Sequence, residues 1–283
     1  MRKLFTAVMG AIAALIFILS SSAAPRGGAD TNSVRPLSAE EANEMWGEFS
    51  RAGISGDYCM GFTITHRPRK GEQTCYTGEI FGTKTGEGYD KTRIRVFGPR
   101  GGQTAEKCIA DYILINNPAE PKVFKLSNGS FVELPPTEWS KPLAEGFLYS
   151  PFDLLMPYKF WKPAYEGAGR IGQAVHFFRL APHDSAAAGQ NSVRLALSRE
   201  FSSPVQAQIL SSDSRPLKTL KLASVKKIDS RWIMREAELR DESSRDKDIL
   251  RFESANLRDS LPKSIFDTQS PDMSPKKPDM TKI

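Results

Sequence analysis

Residues 226–257 read "KKIDSRWIMREAELRDESSRDKDILRFESANL", and how this stretch is parsed decides the fold. At helical spacing Trp232, Ile233, Met234, Ala237 and Leu239 keep an apolar stripe for two turns before a polar block interrupts it. As extended chain the pattern is simpler. "RWIMREAELRD" runs out, "ESSRD" turns, and "KDILRFES" returns with Leu250 and Phe252 on one face and Arg251 and Glu253 on the other. A charged face and an apolar face are what a one-sided antiparallel sheet presents, so the apolar side must cover something.

Upstream, the same extended pattern recurs between Gly, Pro and Asn punctuation in "DYCMGFTITH", "QTCYTGEIFG", "KTRIRVFG", "EKCIADYILIN", "KVFKL" and "SFVEL". It resumes in "RIGQAVHFFRLAP", "SVRLALS", "PVQAQILS" and "PLKTLKLASVKKI". With the opening hairpin this predicts about twelve strands, and the short turns make sequential antiparallel pairing the economical topology. Two segments break the pattern. In "LSAEEANEMWGEFSRAG", Ser38 and Glu41 form a capping box, and Ala42, Met45, Trp46 and Phe49 make one apolar stripe, which predicts an amphipathic helix. Between the two trains, "LPPTEWSKPLAEGFLYSPFDLLMPYKFWKPAYEG" predicts a short aromatic-rich helical plug: Ser150 caps, Pro151 takes the first position, Asp153 completes the box and Pro157 stops the turn.

The N-terminus has a basic "MRK", an apolar run of 16 residues and the small residues "SSSAA", the order of a secretory leader. Ser21 and Ala23 fit the positions before a cleavage that starts the mature chain at Ala24. No cysteine follows to take a lipid. An uncleaved anchor is the alternative, but the run is short of the ~20 residues that span a bilayer.

The formal charge of +6 falls to +4 once Arg2 and Lys3 leave with the leader, and basic residues are interleaved with acids rather than gathered in a stripe. That argues against a nucleic-acid partner. Export permits disulfides, and of the three cysteines Cys59 and Cys75 lie on adjacent predicted strands, where a bridge remains open; Cys108 is then the odd, buried thiol. Their spacing matches no zinc motif. His66, His176 and His183 form no metal-binding pair, and no nucleophile elbow or phosphate loop is present; "GPRGGQ" reads as a hairpin turn. The charges Asp241, Glu242, Arg245, Asp246, Lys247 and Asp248 read as a solvated, mutually neutralising turn. Catalysis, cofactor and metal are therefore not expected.

Three stretches together resemble the bacterial outer membrane lipoprotein-sorting proteins, exported proteins of LolA-like type: "GFLYSPFDLLMPYKFW", "VKKIDSRWIMREAELRDESSRDKDILRFESANL" and "LPKSIFD". The resemblance spans roughly Ser38 to Asp267. It implies a curved, incomplete antiparallel β-barrel, half open, whose concave side is partly covered by helices and holds lipid or the acyl chains of lipoproteins. It also implies a soluble periplasmic carrier acting in lipoprotein transport, with an envelope membrane protein as a further candidate partner. The same fold serves envelope regulators, so a non-transporting interaction or sensor protein stays open as the alternative.

On that architecture, Phe62, Ile80, Phe177, Leu195, Leu220, Leu222, Trp232, Leu250 and Phe252 sit on strands at alternating spacing and are the candidate cavity wall. For any one of them ordinary core is the commoner role. The plug aromatics Trp139, Phe147, Tyr149, Phe152, Phe160 and Trp161 fall where the cavity's mouth would close, and Trp161 joins the candidate ligand contacts. The expected layout is leader 1–23, linker 24–37, half-barrel 38–267 and a tail, 268–283, too poor in apolar residues to fold. Intact-mass measurement of protein recovered from the periplasm is expected to give a chain starting at Ala24; a species retaining Met1 to Ala23 would make the leader an anchor.

Overall fold

The computed structural model describes residues 34–54, 56–85, 89–99, 107–182, 191–228 and 231–283. The leader, His183 and most of the "GPRGGQ" turn lie outside these. Helix α1 (Ala39–Arg51) starts where the capping box places it: the Glu41 amide donates to Ser38 Oγ and the Ser38 amide to Glu41 Oε2. Its stripe of Ala42, Met45, Trp46 and Phe49 is buried.

Strands β1 (Tyr58–Arg67), β2 (Thr74–Lys84), β3 (Asp90–Pro99), β4 (Cys108–Asn116), β5 (Lys122–Ser127) and β6 (Ser130–Leu134) form one antiparallel meander. A second runs through β7 (Lys162–Ile171), β8 (Gln173–Ala181), β9 (Ser192–Ser198), β10 (Pro204–Leu210), β11 (Pro216–Ile228), β12 (Arg231–Asp241) and β13 (Lys247–Asn256). The opening stretch is thus the hairpin β12–β13, as its alternation predicts. Sequential pairing holds within each train but not between them. β1 pairs with β13, while β6 and β7 become the two free edges of a sheet that does not close. The expected half-open barrel is what the chain forms.

On the concave face of the sheet large rings lie on bare backbone. A Cβ on Gly78 would stand 2.2 Å from Phe62 Cζ, and one on Gly82 1.9 Å from Tyr58 Cζ. Glycine at these two β2 positions therefore lets the β1 rings fold across the neighbouring strand. The main core fills that concavity, where Trp46 of α1 meets Phe178 with ring centroids 5.7 Å apart.

Three expectations are corrected and one open pairing is settled. The fourteen-stranded sheet has two strands more than predicted. β7, "KPAYEGAGRI", falls mostly in the segment that reads as a helical break, because Pro163, Gly167 and Gly169 hide its alternation, which is what an edge strand tolerates. Cys59 and Cys75 are free: the register sets Cys59 opposite Phe81 and Cys75 opposite Thr65, which separates them by about 20 Å along the strands. Cys59 rather than Cys108 is the fully buried thiol, packed on the outer face with Phe81, Ile265 and Phe266.

The tail is the third correction. Instead of standing free, residues 268–283 strap the outer face, ending in β14 (Thr281–Lys282) paired with β13. Met280 and Ile283 pack against the two apolar clusters, but most of the tail's attachment is polar, which apolar content does not reveal. Arg93, fully buried, grips Asp111 with two nitrogens at 2.9 and 2.7 Å and gives its third to the carbonyls of Ile265 and Asp272. Arg95 donates to the Met273 carbonyl, and Lys277 lies 2.9 Å from Glu79. Deleting residues 268–283 uncovers Arg93 and is expected to cost on the order of 2 kcal/mol. Phe266→Ala should cost about 3 kcal/mol, the scale of a buried aromatic truncation. Chemical denaturation measures both; a neutral deletion would show that the strap does not hold the sheet.

Candidate functional site

Because β6 and β7 sit at opposite edges, the chain between them must cross the barrel, and residues 135–161 do so over the concave face. The crossing is pinned by local chemistry. Helix α2 (Pro151–Leu155) begins at Ser150, whose amide donates to Asp153 Oδ2 at 2.9 Å, and ends at Met156 with φ 44°, immediately before Pro157. Every residue of α2 is buried. Trp139, Phe147, Tyr149, Phe152 and Trp161 join the core, with Phe147 against Tyr76 at 4.4 Å between ring centroids. Phe160 is half-buried and lies outside it.

Between plug and sheet lies a wholly apolar void of about 20 Å³, lined by Phe62, Ile64, Ile80, Ile94, Leu143, Tyr149, Leu154, Leu250 and Phe252. That is room for about one water molecule. A second void of about 10 Å³ lies against Asp153, Tyr158 and Lys218. Four of the ten sequence-predicted contacts, Phe62, Ile80, Leu250 and Phe252, come together here; Phe62 meets Phe252 edge-on at 6.2 Å. Leu195 and Trp161 are buried in the same core, and Leu220 and Leu222 pack against it half-buried, but none of these four lines this void.

Phe177 is misplaced. In "HFF" alternation alone does not say which ring faces in; Phe178 takes the core beside Trp46, and Phe177 lies outside under the Arg194 guanidinium, 4.2 Å from its ring centroid. Trp232 is half-buried, opposite Lys227, and belongs to neither apolar cluster, because irregularities at Leu222–Val225 shift the face that β11 and β12 turn inward there.

The polar residues that hold the plug were not legible. Asp248, read as a solvated turn charge, is fully buried. Its Oδ2 accepts from the Leu148 amide at 2.7 Å and the Tyr149 amide at 3.3 Å, while Oδ1 lies 2.7 Å from His66 Nδ1. Burial pushes the Asp248 carboxyl above its ordinary pKa against the opposing pull of His66 and the two amides. Lys218 donates to the Leu148 carbonyl at 2.6 Å and to Asp153 at 3.1 Å. Tyr112 donates to the Leu143 carbonyl and Asn116 to that of Leu155, both at 3.0 Å. At the far end Lys159 donates to the Ala52 carbonyl; burial brings its ammonium down to about 8 and lifts nearby Asp90 to about 7. A dry charge loses hydration that its partners only partly return, so these contacts position the plug more than they stabilise it.

Among the described residues, no group of three or more His, Cys, Asp and Glu is placed to hold a metal ion. What the concavity offers is an apolar wall beneath a crossing segment.

A family model described only as an uncharacterized protein matches residues 161–270, the second meander and the segment after it. No curated protein sequence matches the chain. Among solved structures, an outer membrane lipoprotein-sorting protein domain from Vibrio parahaemolyticus superposes with a TM-score of 0.66 at 14% identity, over 80% of this chain and 94% of that one. A DUF1329 family protein from Desulfovibrio piger gives 0.66 at 10% identity, over 83% and 98%. A LolA superfamily protein from Nitrosomonas europaea gives 0.60 at 14%, over 80% and 97%. The fold is therefore LolA-like.

Replacing Asp248 by Ala leaves the buried Leu148 and Tyr149 amides without an acceptor. Hydrogen exchange at both is expected to rise roughly thirtyfold, equivalent to about 2 kcal/mol, while β1–β3 amides keep their protection. A uniform rise across the sheet would show that Asp248 supports the whole fold rather than the plug.

Proposed function

We propose that this LolA-like chain is an exported, periplasmic carrier or binding protein for lipid-modified proteins or other long-chain apolar ligands, acting in envelope lipoprotein sorting. The observation that carries this reading is an all-apolar sheet wall beneath a crossing segment held by apolar burial and positioned by polar contacts. No helix of the described residues is long and apolar enough to cross a membrane, and the leader supplies the reason for export.

In its closed state the chamber is far too small for an acyl chain, so uptake requires residues 135–161 to lift. Ten methylenes buried against the wall return about 8 kcal/mol, which offsets part of what lifting costs: about 1 kcal/mol for each plug hydrogen bond exchanged for water, and the apolar burial of the plug itself. Without a ligand the same lifting exposes aromatic surface and is opposed.

A second reading, an envelope interaction or sensor protein that carries nothing, is favoured by the closed chamber itself: a concavity filled by its own side chains needs no lipid. Native mass spectrometry of protein taken from its host distinguishes the two through co-purifying lipid. Leu250→Glu puts a carboxylate in the chamber wall and is expected to abolish uptake of an environment-sensitive acyl probe, since acyl chains cannot offset its desolvation. Arg251→Glu, which disturbs only the exposed pair with Glu236, should leave uptake nearly unchanged. If both variants respond alike, or the wild type takes up no probe, the carrier reading gives way to the second.

A further inference from the structure

Trp232, which fits neither apolar cluster, lies on a part of the sheet that the chamber does not use. β10 pairs with β11 no further than Gln206–Lys221, and β13 leaves β12 after Arg251–Glu236. Among the described residues, Leu222–Ile228 of β11 and Arg231–Arg235 of β12 therefore pair only with each other, as a two-stranded ribbon that runs on past its neighbours.

The ribbon is basic. Between Leu222 and Arg235 the sequence sets Lys226, Lys227, Arg231 and Arg235 against the single acid Asp229. Arg231 gives one nitrogen to the Leu257 carbonyl. Lys226 and Lys227 are exposed, and neither they nor Arg235 form an ion pair among the described residues. Elsewhere on the same meander acids are answered: Glu236 by Arg251, Glu238 by Lys247, Glu166 by Arg179 and Arg194. At the opposite end the β12–β13 turn sets Asp241, Glu242 and Asp246 against Arg245 and Lys247.

Two aromatic residues accompany these charges. Trp232, half-buried, is the cross-strand partner of Lys227. Phe201 is 51% exposed in the β9–β10 turn, beside exposed Arg199 and the turn's one acid, Glu200. Because β10 starts from this turn and runs antiparallel to β11, the turn stands at the root of the ribbon.

Unanswered cations beside exposed aromatic rings match a bilayer surface, where phosphates take the charges and rings favour the headgroup level. An added strand fits less well. The register of β11 shifts at Leu222–Ser224 and Ser224–Val225, and edge lysines with bulges discourage strand pairing, a second copy of this basic edge included. A bilayer requires neither groove nor register.

We propose that this end of the second meander, the β11–β12 ribbon with the β9–β10 turn, docks on an anionic membrane surface. Lys226, Lys227 and Arg199 meet lipid phosphates there, while Phe201 and Trp232 rest among the headgroups. The inference does not depend on what the chamber holds.

The test is vesicle co-sedimentation of the chain from Ala24 onward, so that the apolar leader cannot itself bind lipid. Vesicles are phosphatidylcholine alone, or an equimolar mixture with phosphatidylglycerol. The wild type is expected to sediment with the mixed vesicles only, and less so as salt rises. Lys226→Gln combined with Lys227→Gln should lower the partition coefficient about thirtyfold, and Phe201→Ala should lower it further. Arg215→Gln combined with Arg245→Gln removes the same charge from the opposite end and should leave partition unchanged. All these variants alter exposed side chains, and unchanged unfolding midpoints confirm that they fold. A wild type that stays in solution with mixed vesicles overturns the proposal and leaves the patch to an acidic protein partner. Equal loss in the two double variants also overturns it, since net charge rather than a docking surface would then be at work. Neither result bears on acyl-probe uptake, by which the carrier reading is judged.

Discussion

β1 pairs with β13 from Cys59–Asn256 to Arg67–Lys247, so the chain enters its sheet in the middle rather than at an edge. The two meanders then grow outward in opposite directions, and the chain must travel from the β6 edge to the β7 edge to continue. The concave route lets apolar plug residues be buried against the sheet wall. The plug, the chamber and the half-open barrel all follow from that one antiparallel pairing. A chain whose strands paired only in sequence would need no crossing segment and would have no cover for its concave face.

The crossing segment is held by two kinds of force with different consequences. Trp139, Phe147, Phe152 and Trp161 contribute non-directional apolar burial, which another apolar molecule can replace. Asp248, Lys218, Tyr112 and Asn116 contribute directional bonds to backbone groups at Leu148, Leu143 and Leu155, which an acyl chain cannot replace. The first kind makes the interior exchangeable; the second returns the cover to one position.

The outer face is organised differently. There Arg93, Arg95, Asp111 and Glu79 form a network partly sealed by the carbonyls of the C-terminal strap. A buried guanidinium requires all of its donors answered, and two of the carbonyls that answer them come from Ile265 and Asp272. The strap thus completes the sheet rather than decorating it.

By itself the sequence determined the local structure. The capping boxes at Ser38–Glu41 and Ser150–Asp153, the stop at Pro157 and the alternation of Leu250 and Phe252 each depend on residues within a few positions of one another. So do the strand segments, and with them the mainly β character and the inward faces of β1, β2 and β13. What only the tertiary structure decided is whatever depends on a partner distant in the chain. Nothing local in "RDKDIL" distinguishes Asp248 from the solvated charges around it until the Leu148 and Tyr149 amides arrive from a hundred residues upstream. Nothing in "HFF" selects Phe178 over Phe177 until Trp46 packs against it, and nothing in the polar tail marks it as ordered until Arg93 is seen to need its carbonyls. Apolar periodicity is a local signal, whereas the satisfaction of a buried polar group is settled by whichever segment the fold brings to it.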